Sequence, residues 1–239
     1  MSRRWLRLTL AAPLMSFGAV AVDQIGSTWR FPSRSMLTGL LANALGLDWT
    51  ERAAHQALQD RLVSTAALVR EGEVLTDIQN AQLGANDRGW TTRGRAEGRE
   101  GASYNAPHRR RRDFLADAEL LAVLALEPAD AEPSLDRIRN ALLRPARPLF
   151  LGRKPCLPSR PLVAGTEADF LEAPTAHAAL LACAGIAGAR AWWPGNEGPA
   201  GTRTHEVADR RNWDSGLHGG ARILREGRLG EPGPDGGAS

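Results

Sequence analysis

The chain has 239 residues, of which 43% are hydrophobic and 24% are charged. This composition supplies one sizeable core or two small lobes and excludes a chain that is disordered throughout. The formal net charge is only +3, so a nucleic-acid surface would have to come from local clusters of basic residues. Two cysteines and five scattered histidines lack the spacing of a zinc site or a disulfide framework. We therefore expect no metal, no cofactor and a reduced, cytosolic compartment.

The N-terminal segment supports two interpretations. The pair Arg3-Arg4, a hydrophobic stretch and the small residues 19–21 imitate a twin-arginine signal, which would make this an exported protein. Residues 6–10 instead alternate leucine with a polar residue, as a half-buried strand does, and this pattern favours a core strand. No stretch reaches the roughly 18 apolar residues of a membrane span, so we expect no membrane partner.

The most informative motif is Thr-Trp-Arg-Phe-Pro-Ser-Arg-Ser, which runs directly into a helix predicted over residues 36–45. Ser33 or Ser35 can cap this helix, and its free N–H groups are expected to face outward beside Arg30 and Arg34. Hydroxyls, guanidinium groups and a helix N-terminus together favour an anion site, most naturally for phosphate. An ordinary capped helix with solvated arginines is the alternative.

The later elements follow the order of a split β-α-β unit. They are a second helix over 51–61, a hairpin of strands 62–69 and 74–79, a strand late in 114–126, a helix from Pro133-Ser134 to Pro145, and a strand after Pro158. This order predicts an α+β, ferredoxin-like (RRM-like) fold, which many RNA-binding domains use. The predicted domains are 1–83 with 113–165 (ferredoxin-like RNA-binding domain), 84–112 (inserted thumb), 166–226 (smaller irregular C-terminal lobe) and 227–239 (flexible tail).

The insertion is a second basic region. Its arginines are interspersed with Trp90 and Tyr104, and arginines with aromatic residues on an arm suit phosphate contact and base stacking. A solvated surface loop is the alternative. The arginines predicted to bind RNA here are Arg88, Arg93, Arg95, Arg109, Arg110, Arg111 and Arg112.

A third basic place is the segment from Pro148 to Cys156. Gly152 permits a close backbone approach, and Arg153 and Lys154 supply positive charge. A tight turn with two exposed basic residues is the alternative. The three places together could contact one strand of nucleic acid.

These motifs, in this order, carry a resemblance to a known family. The chain resembles the CRISPR-associated CasD family, a RAMP-superfamily subunit of type I-E Cascade complexes. The matching stretches are residues 8–13 with Phe17-Gly18, Arg30 to Gly46, the Asp77 region, 112–117 and Arg147 to Gly165.

The resemblance implies a non-catalytic RNA-binding and assembly subunit that contributes to antiviral defence. Such a subunit grips the repeat-derived 5′ handle of the CRISPR RNA (crRNA), and its thumb crosses the RNA near the start of the spacer. The implied partners are the backbone subunit CasC and the large subunit CasA, with target DNA engaged only through the complex. In this subtype a separate subunit, CasE, cuts the crRNA.

A metal-independent endoribonuclease that processes precursor crRNA is the enzymatic alternative. RNA cleavage of this kind needs a base for the 2′-hydroxyl and an acid for the leaving oxygen. Tyr104, His108 and Lys154 could form such a set, although a lone Tyr and His in an arginine-rich loop are more often stacking or solvated groups.

Overall fold

The computed structural model describes residues 2–19, 24–81, 89–90, 96–97 and 108–231, which form thirteen strands and four α-helices. The strands are β1 (Arg3–Ala11), β2 (Leu14–Met15), β3 (Ile25–Gly26), β4 (Leu62–Arg70), β5 (Glu73–Ala81), β6 (Gly89–Trp90), β7 (Ala96–Glu97), β8 (His108–Ala116), β9 (Glu119–Leu126), β10 (Phe170–Ala173), β11 (Arg190–Pro194), β12 (Arg203–Val207) and β13 (Arg222–Arg228). The helices are α1 (Arg34–Leu45), α2 (Arg52–Arg61), α3 (Leu135–Leu143) and α4 (Ala176–Leu181). None of these helices combines the length and apolarity that a membrane span requires.

The largest sheet has seven antiparallel strands in the order β10-β1-β9-β4-β11-β13-β12. The predicted N-terminal strand is confirmed as β1, which lies between β9 and β10. Its alternating Leu6, Leu8 and Leu10 are fully buried, in one core cluster with α1 and α3. Trp5 belongs to a second cluster that includes residues of α4. The sheet therefore has helices on both faces, and its α+β class is the predicted one.

The helix boundaries agree with the capping signals in the sequence. Ser33 caps α1, and Gly46 ends it with a φ of 83°, a left-handed conformation that glycine adopts without strain. Ser134 caps α3, where its side chain accepts a hydrogen bond from the backbone N–H of Arg137. Helix α2 begins at Arg52, within one residue of the prediction.

The predicted hairpin of strands β4 and β5 is wrong. Strand β4 pairs with β9 and β11 in the large sheet, whereas β5 pairs with β8 in a second sheet that also holds β2 and β3. Gly72, between β4 and β5, and Asp117, between β8 and β9, lie opposite each other and both have positive φ. The two segments therefore turn out of the large sheet together. A Cβ on Gly72 would lie 2.3 Å from the carbonyl oxygen of Ala116. Strands β5 and β8, which pair along their whole length, thus form an extension that is here called the ribbon.

The last third of the chain completes the large sheet. Strand β11 pairs with β4, and β13 and β12 follow it to the sheet edge. The sequence predicted a smaller irregular lobe and a tail from residue 227, but Gly227 lies within β13. A Cβ on Gly227 would lie 2.8 Å from the ring of Trp193, so this glycine makes room for a buried tryptophan. From the sequence, the glycines of this region indicated irregular structure. In the structure, Gly227 instead allows close packing against a neighbouring side chain.

Candidate nucleic-acid interface

The N-terminus of α1 is occupied by groups of the protein itself. The Asp209 carboxylate accepts a hydrogen bond from the backbone N–H of Arg34 at 2.9 Å, and the Asp209 carbonyl accepts one from Ser35 at 3.0 Å. The hydroxyl of Ser33 accepts from the backbone N–H of Met36 at 3.2 Å. The expectation that free N–H groups face outward is therefore wrong, because Asp209 supplies the anion that a helix N-terminus favours.

A cleft of about 250 Å³ nevertheless lies beside the capping serines. It is here called the serine cleft. Its walls include the predicted Ser33, Ser35, Gly152 and Arg153, together with Arg211, Trp213 and His218. The structure therefore brings the first and third predicted places to one opening, and adds an aromatic ring and a further arginine from the last third.

Gly152 positions one wall of this cleft. Its φ is +104°, and a Cβ there would lie 1.6 Å from the carbonyl oxygen of Ser16. The neighbouring Leu151 carbonyl accepts a hydrogen bond from the backbone N–H of Ser16 at 3.0 Å. The close backbone approach that the sequence predicted is therefore made to the protein's own chain, and it fixes the turn that carries Arg153.

Arg153 connects this turn to the ribbon. Its guanidinium donates to the carbonyl oxygens of Asp113, at 3.0 Å, and Gly26, at 2.8 Å, and lies over the ring of Phe114 at 4.9 Å. Partial burial, and next the charge of Arg112, lower the pKa of Arg153. Lys154, the next residue, is exposed.

The predicted arginines at positions 109–112 lie on strand β8 and not in a loop. Residues two apart on a strand share a face, so Arg112 lies on the face of Phe114, with Arg110 further along it. Arg109 and Arg110 are exposed, and within the described part of the chain neither forms an ion pair. Arg111 pairs with Asp113 at 3.3 Å. The ribbon therefore extends a line of positive charge away from Arg153.

Arg30 and Arg34 do not join Ser33 and Ser35 in the serine cleft. Arg30 pairs with Glu71 at the base of the ribbon, at 3.4 Å. Arg34 is buried and lines a separate cleft. Four side chains of one short motif thus reach three different places. The predicted Arg88, Arg93 and Arg95, and Tyr104 of the enzymatic alternative, lie outside the described residues, and His108 is described by its backbone alone.

The residues that sequence reasoning missed are Arg211, Trp213 and His218. Amide groups of α2 hold this segment: Gln59 donates to the Arg211 carbonyl at 2.8 Å and accepts from its N–H at 3.0 Å. The ring of His55 packs against that of Trp213, with 4.6 Å between centroids. An arginine two residues before a tryptophan was the available signal, since arginine and aromatic side chains together suit nucleic acid.

His218 lies across the cleft from α1. Its Nε2 is 3.3 Å from the hydroxyl of Ser35, and burial, followed by the charge of Arg211, lowers the pKa of His218. The cleft therefore combines hydroxyls, an imidazole, guanidinium groups and an indole. This is a set that can hold phosphate, ribose hydroxyls and a base face.

Comparison with known proteins finds relatives of this chain. A family model described as CRISPR-associated protein (Cas_Cas5) matches residues 5–225. The CRISPR system Cascade subunit CasD of Escherichia coli (strain K12) is 30% identical over 164 residues, which make up 69% of this chain and 71% of that protein.

Two solved structures share the fold. A chain of a CRISPR RNA-guided surveillance complex has a TM-score of 0.66 at 21% identity, and the match covers 94% of this chain and 90% of that chain. A second structure, titled as a crystal structure of a Cas protein, has a TM-score of 0.59 at 24% identity, and the match covers 94% of each chain. The likeness confirms the predicted fold class.

Proposed function

The chain belongs to the CRISPR-associated Cas5 protein family, and from this premise we propose that it is a non-catalytic subunit of a type I-E Cascade complex. In this proposal it holds the 5′ handle of the crRNA and contacts the CasC and CasA subunits, and target DNA meets it only through the assembled complex. The complex acts in antiviral defence in the cytoplasm, which suits a chain whose two cysteines are free and buried.

One observation carries the proposal. Ser33, Ser35, Gly152 and Arg153, predicted from two distant motifs, line one open cleft, and the arginines of the ribbon continue from Arg153. A cleft followed by a charged strand suits a single-stranded RNA whose handle is held in the cleft while its backbone follows the ribbon.

The RNA-binding surface of the proposal has two parts. In the cleft, Ser33, Ser35 and the backbone at Gly152 offer short polar contacts, and Trp213 offers an aromatic face. Along the ribbon and the adjacent turn, Arg109 to Arg112, Arg153 and Lys154 supply charge without any base preference. Arg30, Arg88, Arg93 and Arg95 stay predictions.

The proposed role is binding because the cleft offers hydroxyls, donors and a ring in place of an acid–base pair set around one reacting atom. Among the described residues that line the cleft, His218 is the one general acid or base, and its imidazole faces the hydroxyl of Ser35. The name of the E. coli relative, a Cascade subunit, supports assembly as the role of this chain.

The experiment isolates the native complex through a tag on this chain and sequences the RNA that copurifies. We expect RNAs that share one repeat-derived 5′ end, together with the other Cascade subunits. A clean preparation that contains neither would contradict the proposal.

A double variant, Arg109→Gln with Arg110→Gln, tests the ribbon. We expect the RNA to dissociate at lower salt, and the slope of log K against log salt to fall by about 1.4, since each lost contact to a single strand removes about 0.7. Arg137→Gln with Arg144→Gln, two exposed arginines of α3 and its C-cap, is the matched control. An equal change in both variants would mean that the ribbon has no special part in RNA binding.

A further inference from the structure

A second cleft, of about 380 Å³, holds four arginines that the proposed function does not use together. Arg34 comes from the first turn of α1, Arg210 from the segment after β12, and Arg222 and Arg225 from β13. It is here called the arginine cleft. Arg210 lies here, while its neighbour Arg211 lines the serine cleft, so the two clefts adjoin.

The carboxylates around the arginine cleft are already engaged. Asp209 is fully buried and accepts hydrogen bonds from Arg222 at 2.8 and 2.7 Å, besides the backbone N–H of Arg34. Asp60, which also acts on Arg34, accepts from the side chain of Gln56 at 3.0 Å. Four guanidinium charges against Asp209 and Asp60 leave a net charge of +2 at this place.

Buried donors without partners mark the same cleft. Arg34 is only 9% exposed, and its Nε has no hydrogen-bond partner among the residues that the structure describes. The Nη1 atom of Arg222 and the Nε atom of Arg225 are likewise buried and have no hydrogen-bond partner among the described residues. Burial, followed by the charges of Arg222 and Arg210, lowers the pKa of Arg34 to about 10, which still leaves it cationic at pH 7. Asp209 and Asp60 act on Arg34 through their charges, but among the described residues neither forms an ion pair with its guanidinium. A buried cation without an ion-pair partner is costly, and an anion from outside would lower this cost.

The geometry favours a tetrahedral oxyanion over a carboxylate. One carboxylate is matched by one planar guanidinium fork, as Asp209 is by Arg222. The cleft is lined by guanidinium-bearing residues from three parts of the chain, α1, β13 and the segment at Arg210, and a phosphate group can direct a separate oxygen to each of them. We infer that the arginine cleft is a binding site for a phosphate group.

Thermal unfolding of the full chain with inorganic phosphate tests this inference. At ten times the dissociation constant, we expect phosphate to raise the melting temperature by about 3 to 6 °C over chloride of equal ionic strength. Arg34→Met should lose this rise and, in chloride, should be at least as stable as the wild type, because the substitution removes a buried cation that has no ion-pair partner among the described residues. A purely structural Arg34 would instead lower the melting temperature when replaced.

Two variants keep the test decisive. Arg137→Met, on the exposed face of α3, should retain the full phosphate response. If Arg34→Met fails to fold, Arg210→Met replaces it, because Arg210 is exposed and should lose part of the response. The inference would be overturned if the wild type melted at the same temperature in phosphate and in chloride. It would also be overturned if Arg34→Met and Arg210→Met both kept the full rise in phosphate. Stabilisation by a heptaglutamate peptide in place of phosphate would overturn it in favour of an acidic protein segment.

The source of the phosphate is tested with single-stranded RNA. This part rests on the proposed function, whereas the phosphate measurement does not. A fall of about 0.7 in the salt slope of RNA binding in Arg34→Met identifies a backbone phosphate of the RNA. If the wild type responds to phosphate and Arg34→Met leaves the salt slope of RNA binding unchanged, the ligand is a free phosphate compound. If the wild type binds no RNA at all, the proposed function fails, while the inference is still decided by inorganic phosphate.

Discussion

Arg61 of α2 and two arginines of the ribbon, Arg109 and Arg110, have opposite surroundings. Arg61, at the end of α2, donates to the carbonyl oxygens of Pro128, Ala131 and Glu132 and is 9% exposed. Arg109 and Arg110 project from the ribbon into solvent. Position in the fold therefore decides whether an arginine stabilises the protein or remains available to a ligand, and the number of arginines says little about either.

The largest effect is expected where an arginine holds a loop. Arg61→Leu should lower the free energy of unfolding by about 2–4 kcal/mol, because several carbonyl oxygens of residues 128–133 lose a charged donor. Urea denaturation measures the change. Arg52→Leu, an exposed arginine of the same helix, is the control and should stay within about 0.5 kcal/mol. Equal losses in the two variants would contradict the structural role of Arg61.

A smaller effect is expected from acid. Burial alone would raise the pKa of Asp209, but hydrogen bonds from Arg222 and its charge outweigh burial and lower that pKa. The ionised Asp209 therefore contributes its full share to the free energy of unfolding above the ordinary aspartate pKa of about 4. This contribution is lost as the pH falls through the lower pKa that Asp209 has in the folded protein.

Asp209→Asn should remove this part of the acid dependence. Below pH 4, the free energy of unfolding of the wild type should fall more steeply than that of the variant, by up to about 1.4 kcal/mol per pH unit. Asp130→Asn, exposed in the loop after β9, should follow the wild-type curve. Parallel curves for wild type and Asp209→Asn would mean that the Arg222 pair contributes no acid-sensitive stability.

The smallest effect on stability is expected in the ribbon. Arg109→Gln with Arg110→Gln should change the free energy of unfolding by less than about 0.5 kcal/mol per site, since both side chains are exposed. The same urea measurement checks it. A loss comparable with that of Arg61→Leu would remove the distinction between the two regions.

Local signals in the sequence predicted what local physics controls. The alternation at Leu6, Leu8 and Leu10 identified β1, and Ser33 and Ser134 identified the starts of two helices. The strand that pairs with β5 could not be predicted, because nothing within residues 62–79 indicates that the β4–β5 segment turns at Gly72 together with the β8–β9 segment at the distant Asp117.

The candidate site was predicted only in part for the same reason. Ser33, Ser35 and the Gly152 turn were found because each belongs to a local motif. Arg211 and Trp213 reach the serine cleft through Gln59 and Gln56 of α2, more than 150 positions away. The burial of Arg34 likewise depends on the last third of the chain, which no local pattern around Arg34 reveals.

The capping of α1 by Asp209 makes the start of this helix depend on a residue that is synthesised late. Asp209 follows Arg34 by 175 residues, which a ribosome adding about 5–20 residues per second needs roughly 10 to 35 seconds to produce. During that interval the backbone N–H groups of Arg34 and Ser35 have no Asp209 to bind, and each cleft lacks the residues that the last third of the chain contributes to it. A nascent or truncated chain that ends before Asp209 therefore lacks part of each of the two proposed ligand clefts.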